Sequence, residues 1–192
     1  MDDATKAPDR LEEILAAAAR AFSAFGYRRA AMDDIAREAG MSRSALYLHF
    51  RNKEDIFRHL VARYLEKAVA EMEKALARPG QSAEEALVAA FMAKDGDLVE
   101  TVLGSPHGAE LLDVGMNFAR DSFAAVEARK IEILTEWLER LPLAPGVGPP
   151  ESVARAILAA SIGLKFPGQT LQGYREGQSQ LARLFAKAVT RP

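Results

Sequence analysis

The sequence predicts an all-α chain, and three observations carry that prediction. Apolar residues recur at i, i+3, i+4 and i+7 in stretch after stretch, the first being Leu11, Ile14, Leu15, Ala18, Phe22 and Phe25. No stretch shows the apolar/polar alternation of a half-buried strand, and no internal repeat is present. Glycine, proline and capping residues stand where the apolar periodicity breaks, as in Arg78-Pro79-Gly80 followed by Ser82-Ala83-Glu84-Glu85. At ordinary lengths the pattern holds about nine or ten helices.

Composition narrows the class. With 192 residues the chain can form one or two small domains around a full core. It has no cysteine, which excludes disulfides, thiol catalysis and cysteine-ligated metal and fits a reducing cytoplasm. The start, MDDATKAPDR, is polar and acidic with no apolar run behind it, so no secretory signal is expected. No segment approaches the ~18 consecutive apolar residues of a membrane span. A soluble, cytoplasmic protein with no membrane partner is therefore expected. A net charge of −2 and a pI near 6.0 argue against indiscriminate coating of nucleic acid.

The first helical stripe runs to Gly26, a C-cap position, and Tyr27-Arg28-Arg29-Ala30 connects it onward. Met32–Lys53 then reads as two short helices around a tight corner. Met32, Ile35, Ala36 and Ala39 share one face, and Asp33 and Asp34 sit in the first turn, where negative charge suits the helix dipole. Ala36 leaves room for a second helix to cross closely. Gly40 supplies the left-handed corner, Ser42 caps the next helix, and Ile35 and Leu46 anchor the crossing. Asn52 caps the helix after that, with Glu54 and Asp55 in its first turn. This is a helix-turn-helix pattern, whose second helix enters a DNA major groove. From Arg20 to Lys53 seven basic residues face three acids, a local charge of +4 on a chain that is negative as a whole. A segregated basic face of this kind suits phosphate. Arg28 and Arg29 are well placed to reach a DNA backbone.

From Lys53 a long helix carries Ile56, Phe57, Leu60, Val61, Tyr64, Leu65, Ala68, Met72 and Leu76 to the stop at Arg78-Pro79-Gly80. The next helix holds Leu87, Ala90, Phe91 and Met92. Asp95-Gly96-Asp97 predicts a turn, 98–103 a short helix, and Gly104-Ser105-Pro106 a break. A helical segment from Pro106 leads through Leu111, Leu112, Met116 and Phe118 into a long pattern ending at Trp137, Leu138 and Leu141. Residues 141–150, LPLAPGVGPP, form the clearest loop. Residues 152–165 predict a helix with a small-residue face of Ala156, Ala159, Ala160 and Gly163, ended by Phe166-Pro167-Gly168. Gly173 and Gly177 punctuate the stretch before a last helix with Leu181, Leu184, Phe185 and Val189.

The order helix, helix-turn-helix, long helix, helical body, together with DDIAREAGMSRSALYLHFRNKEDIF, resembles the TetR family of one-component transcriptional regulators. The resemblance is specific over about residues 10–60, in Phe25-Gly26-Tyr27, Ile35 to Gly40, Ser42, Leu46-Tyr47, His49-Phe50 and Lys53-Glu54. Beyond them only the helical architecture matches. It implies a DNA-binding head at 8–68 and a ligand-binding and dimerisation body at 69–192. It further implies that Arg43 and Ser44 face base edges, with Ser42 at the start of their helix, while Tyr47, His49 and Lys53 hold phosphates. An arginine paired bidentately with guanine contributes about 1–3 kcal/mol of discrimination. Two departures stand out: Ala31 where the family commonly has a capping threonine, and Leu48 where a second tyrosine is common. Each removes a backbone hydrogen bond and implies weaker or more salt-sensitive binding.

The same resemblance implies a homodimer on a palindromic operator, with Ile133, Leu134 and Trp137 beside Ala156, Ala159, Ala160 and Gly163 in a four-helix interface. A small-molecule effector would sit among Phe91, Met92, Leu103, Leu112, Met116, Phe118 and Phe123, with His107, Asn117 and Arg120 as polar contacts. Repression relieved by effector is the family's usual mode. A helical ligand-binding protein with weakened or ligand-dependent DNA binding is the alternative. An enzyme is not expected: His49, His59 and His107 lack metal-ligand spacing, no glycine loop cradles phosphate, and no serine sits in a nucleophile elbow. No cofactor is expected.

Overall fold

The computed structural model describes residues 10–164 and 170–190, with the side chains of 96–98 excepted. Among these residues there are ten helices and no strand beyond one isolated antiparallel bridge, Leu143 to Thr190. They are α1 (Arg10–Arg29), α2 (Met32–Glu38), α3 (Arg43–Tyr47), α4 (Lys53–Ala77), α5 (Ala83–Ala93), α6 (Gly96–Gly104), α7 (Gly108–Phe118), α8 (Arg120–Glu139), α9 (Pro150–Ile162) and α10 (Leu171–Val189). The all-α class stands.

The chain forms two compact units, and they are not contiguous in sequence. The first joins the residues up to Arg63 to Gly104–Arg120; the second joins Tyr64–Leu103 to the residues from Asp121 onward. Helix α7 thus packs on α1. A single cut after residue 68 does not describe this arrangement, because α7 follows α6 in sequence but shares a unit with α1 to α3.

In the first unit Ile14, Phe22, Ile35, Leu46 and Ile56 are buried, as the helical spacing demands. Phe22, Tyr27, Phe57 and Phe118 add a ring cluster, with Tyr27 and Phe57 centroids 5.0 Å apart and Tyr27 and Phe118 5.5 Å apart. Edge-on pairs of this kind add to stability beyond their buried area. The helix-turn-helix corner is made as its sequence indicates. Gly40 has φ +63°, and the Ser42 hydroxyl accepts the Ala45 N–H at 3.1 Å. Asn52 caps α4 in the same way, accepting from the Asp55 N–H at 2.8 Å. Ala31 has no side-chain acceptor for α2. Only the reciprocal bond exists, from the Ala31 N–H to Asp34 Oδ2 at 2.9 Å.

In the second unit the core is Met72, Leu87, Phe91, Leu134, Trp137, Leu138, Ile157 and Leu158, closed by Ala182, Ala186 and Val189 of α10. The Ser82 and Glu85 capping box opens α5, and the loop at 141–150 is observed. Two sequence expectations change. Helix α10 begins at Leu171 under a Thr170 cap, so Gly173 and Gly177 lie inside it. Tertiary packing overrides their low helix propensity: a Cβ on Gly177 would already touch Leu164, at 3.5 Å. The pattern from Pro106 to Leu141 is two helices, separated at Ala119 (φ −123°, ψ 27°). The stop at Phe166-Pro167-Gly168 lies outside the described residues.

Candidate functional site

The exposed face of the first unit is built from α3 and the two corners beside it. Arg43, Ser44, Tyr47, Leu48 and His49 are all exposed, Leu48 to 86%. The Arg43 guanidinium lies 3.1 Å from Asp33 Oδ2 and 5.5 Å from the Tyr47 ring centroid, and donates to the Tyr47 hydroxyl at 3.4 Å. These contacts hold the arginine extended across α3 rather than folded back. Hydrogen bonding to Tyr47 and the nearby Asp33 charge push its already high pKa further up, so it stays cationic.

The local charge of +4 resolves into paired and unpaired groups. The three acids each take one arginine: Arg20 with Glu38, Arg37 with Asp34, and Arg43 with Asp33. Arg28, Arg29 and Arg51 are exposed, and their side chains have no ion pair among the described residues. Arg28 and Arg29 end α1, while Arg51 stands in the corner between α3 and α4. Sequence reasoning passed over Arg51; the signal was its place two residues before a helix start, which keeps its side chain off the core.

Lys53 is placed differently from the sequence expectation. Its ammonium donates to the carbonyl oxygens of Tyr27, Arg28 and Ala30 at 2.8, 3.0 and 3.1 Å and lies 4.7 Å from the Tyr27 ring centroid. An ammonium has three N–H donors, and all are used inside the protein. The cause is the end of α1 at Arg29, just past the break at Gly26 (φ +77°, ψ 159°), which leaves the last carbonyls of the segment without helical partners. Lys53 is therefore a clamp on the α1 to α2 corner, in place of the expected phosphate contact. From the other side Glu110 of α7 accepts the Arg28 N–H at 2.8 Å, so the segment carrying Arg28 and Arg29 is held by two charged groups.

The ten expected ligand-lining residues are divided between the two units. Phe118 belongs to the ring cluster, with the Arg58 guanidinium over it, and His107 lies beside Glu110. Leu112, Met116, Asn117 and Arg120 are exposed in the first unit; Phe91 is core in the second. Leu103 and Phe123 are half-buried in the second unit and line no cavity described there. Helical periodicity marks all of these as apolar-face residues, but it does not say which unit each face meets. Met92 lines a cavity of the second unit, of about 390 Å³, with Asp95, Val99, Glu100, Leu171, Tyr174 and Arg175.

The expected interface set also divides. Ile133, Leu134 and Trp137 are buried in the core of the chain's own second unit. Ala156, Ala159, Ala160 and Gly163 are exposed on one face of α9, beside Ile162 at 51% exposure. The outward face of α8 is acidic instead: Glu127, Glu132, Glu136 and Glu139 line a groove with Glu151 and Arg155 of α9.

A short helix set across α2 by a glycine corner, with exposed arginines on either side, is a helix-turn-helix arrangement. A family model described as "Bacterial regulatory proteins, tetR family" matches residues 14–60. Over these residues the chain is similar to the DNA-binding end of that family. It is 35% identical over 68 residues to the HTH-type transcriptional activator FasR of Mycolicibacterium smegmatis, a match covering 35% of this chain and 31% of that protein. It is 28% identical over 180 residues to the A-factor receptor protein of Streptomyces griseus, covering 90% of this chain and 59% of that one. The chain thus spans between about a third and three fifths of these relatives' lengths. Its fold is similar to that of SmeT, the repressor of the Stenotrophomonas maltophilia multidrug efflux pump SmeDEF, with TM-score 0.67, 20% identity, and 96% and 92% of the two chains covered. No helix among the described residues is long and apolar enough to cross a membrane.

Proposed function

We propose that this protein is a repressor that binds a palindromic operator as a homodimer and is released by a small-molecule effector. The observation that carries the DNA reading is the unpaired trio Arg28, Arg29 and Arg51 around the exposed face of α3. Phosphate contacts fix the register of a protein on the duplex, and base contacts specify it. In this reading Arg28, Arg29 and Arg51 take phosphates with Tyr47 and His49. Arg43 leaves Asp33 for the guanine edge, with Ser44 beside it and Ser42 holding the N-terminus of the helix. An exchange between exposed ion partners costs little, because such a pair is worth about 0–1 kcal/mol.

One head of this size covers too little DNA for operator specificity, so two heads read half-sites about 34–36 Å apart. The pairing surface in this reading is the α9 face of Ala156, Ala159, Ala160 and Gly163, where small side chains let a second copy approach closely.

The repressor mode is supported by the likeness to SmeT; the relation to an activator keeps a ligand-strengthened mode as the second reading. Selection of randomised duplex DNA by the purified protein, followed by sequencing, tests both the site and its symmetry. Enrichment of an inverted repeat is expected, and its loss in Arg43→Ala identifies the reading helix. No enrichment with or without added metabolite extract would sink the operator reading.

A further inference from the structure

The break in α1 is splinted from a distant part of the chain. At Gly26 (φ +77°, ψ 159°) the helical repeat is interrupted, and an interrupted helix leaves N–H and carbonyl groups to be met from elsewhere. Ser105 and Glu110, each 82 positions beyond its partner, meet one on either side. Before the break, the Ser105 hydroxyl donates to the Ser23 carbonyl at 2.9 Å. It also accepts the His107 N–H at 3.1 Å, which fixes its direction. After the break, Glu110 Oε1 accepts the Arg28 N–H, which in an unbroken helix would go to Ala24. The other carboxylate oxygen fills the space a side chain at Gly26 would take: a Cβ there would lie 2.5 Å from Glu110 Oε2 and 3.1 Å from His107 Nδ1. The far end of α7 is tied to the same unit, where the Arg58 guanidinium donates to the Phe118 carbonyl and lies 5.3 Å from its ring centroid.

We propose that Ser105 and Glu110 are positioning residues for DNA binding, holding the segment that carries Arg28 and Arg29 in place for phosphate. The inference rests on the operator reading above and deepens it: two residues outside the helix-turn-helix, themselves touching no DNA, set two phosphate contacts. Arg28 and Arg29 follow the break directly, and their side chains have no ion pair among the described residues to fix them. Their backbone is what places them, and it has two tethers, Lys53 on its carbonyls and Glu110 on its N–H. A contact made from an untethered backbone loses conformational entropy on binding, and the tethers remove that loss in advance. Charge gives the proposal a sign. A carboxylate beside arginines that take phosphate lowers the local positive potential, so Glu110 as a mere charge weakens DNA binding. As the acceptor of the Arg28 N–H it strengthens it. The two roles therefore predict opposite outcomes when the side chain is removed.

The test titrates the full chain with the inverted-repeat duplex recovered by selection, at several salt concentrations. Glu110→Ala should weaken binding at least about tenfold and lower the slope of log affinity against log salt by about 1–2 per head, each phosphate contact contributing about 0.9. Glu110→Gln removes the charge and keeps the acceptor, so it should bind as tightly as wild type or more tightly. Ser105→Ala should lose about two- to fivefold in the same direction as Glu110→Ala. In a chain already carrying Arg28→Ala and Arg29→Ala, measured at low salt, Glu110→Ala should cost no further affinity. A role in folding alone would lower affinity in both backgrounds and erode the base discrimination owed to Arg43, which should be unchanged in Glu110→Ala. The same cycle on Ser105→Ala decides the matter if Glu110→Ala does not fold. Tighter binding by Glu110→Ala, equal losses in Glu110→Gln and Glu110→Ala, or a further loss in the arginine-free background would overturn the inference and leave operator recognition untouched. A wild-type chain that enriches and binds no duplex would instead remove the operator reading, and this inference with it.

Discussion

The exposed face of α3 in the first unit and the buried Lys94, Asp95 and Tyr174 cluster in the second handle charge in opposite ways. In the first, Arg20, Arg37 and Arg43 pair with acids while the guanidinium groups stay largely in water, and Arg28, Arg29 and Arg51 have no ion pair among the described residues. In the second, Lys94 and Asp95 are buried with Tyr174. Exposed pairs exchange partners at little cost, as a surface that meets phosphates needs. Buried pairs are locked by the low dielectric around them and hold a cavity wall in one geometry. The difference between these units is thus one of solvation more than of residue type.

The largest expected effect would break the buried side of that comparison. Asp95→Ala removes the buried carboxylate that Lys94 and Tyr174 both bond and should destabilise the protein by about 3–5 kcal/mol in urea unfolding. The paired replacement Lys94→Met with Asp95→Leu should recover most of that loss. If the single substitution moved stability no more than a surface change does, the buried pair would be misassigned.

On the exposed side, Arg43→Ala should change folding stability by less than about 0.5 kcal/mol. Discrimination at one operator base pair should nevertheless fall by about 1–3 kcal/mol, read by titrating wild-type and mismatched duplexes. Arg51→Ala should weaken binding uniformly across sequences and lower the slope of log affinity against log salt by about 1. A sequence-dependent loss there would move Arg51 from phosphate to base.

Gly26→Ala sharpens the account of the clamped corner. The residue has φ +77°, and a Cβ would lie 2.5 Å from Glu110 Oε2. The carboxylate can swing away, but the backbone strain remains, so thermal unfolding should show a loss of about 1–2 kcal/mol. The smallest effect is at the α5 cap. The Glu85 carboxylate accepts from the Ser82 N–H and hydroxyl, both at 2.8 Å, which holds its pKa below the ordinary value. With a depressed folded pKa, the cap's contribution is present above the unfolded value and is lost as pH falls through the folded one. An NMR titration should place the Glu85 midpoint lower than in Ser82→Ala.

Much of the first unit is legible because its determinants are local. Gly40, Ser42, Asn52 and the spacing of Ile35, Ala36 and Leu46 each act within a few residues of themselves. Lys53 escaped the same reasoning: its three carbonyl partners, at Tyr27, Arg28 and Ala30, lie more than twenty positions away and are exposed where α1 ends. Ile133, Leu134 and Trp137 form a good apolar stripe, and a stripe looks alike whether it meets its own chain or another.

By itself the sequence determined the helical class, most of the helix ends and the helix-turn-helix, because periodicity, caps and turn chemistry are short-range. Only the tertiary structure decided which arginines remain unpaired, that α7 packs with α1, that the α9 face alone of the expected interface is open, and that Lys94, Asp95 and Tyr174 meet. Those outcomes depend on which surfaces lose water together, and helices far apart in the chain settle that between them.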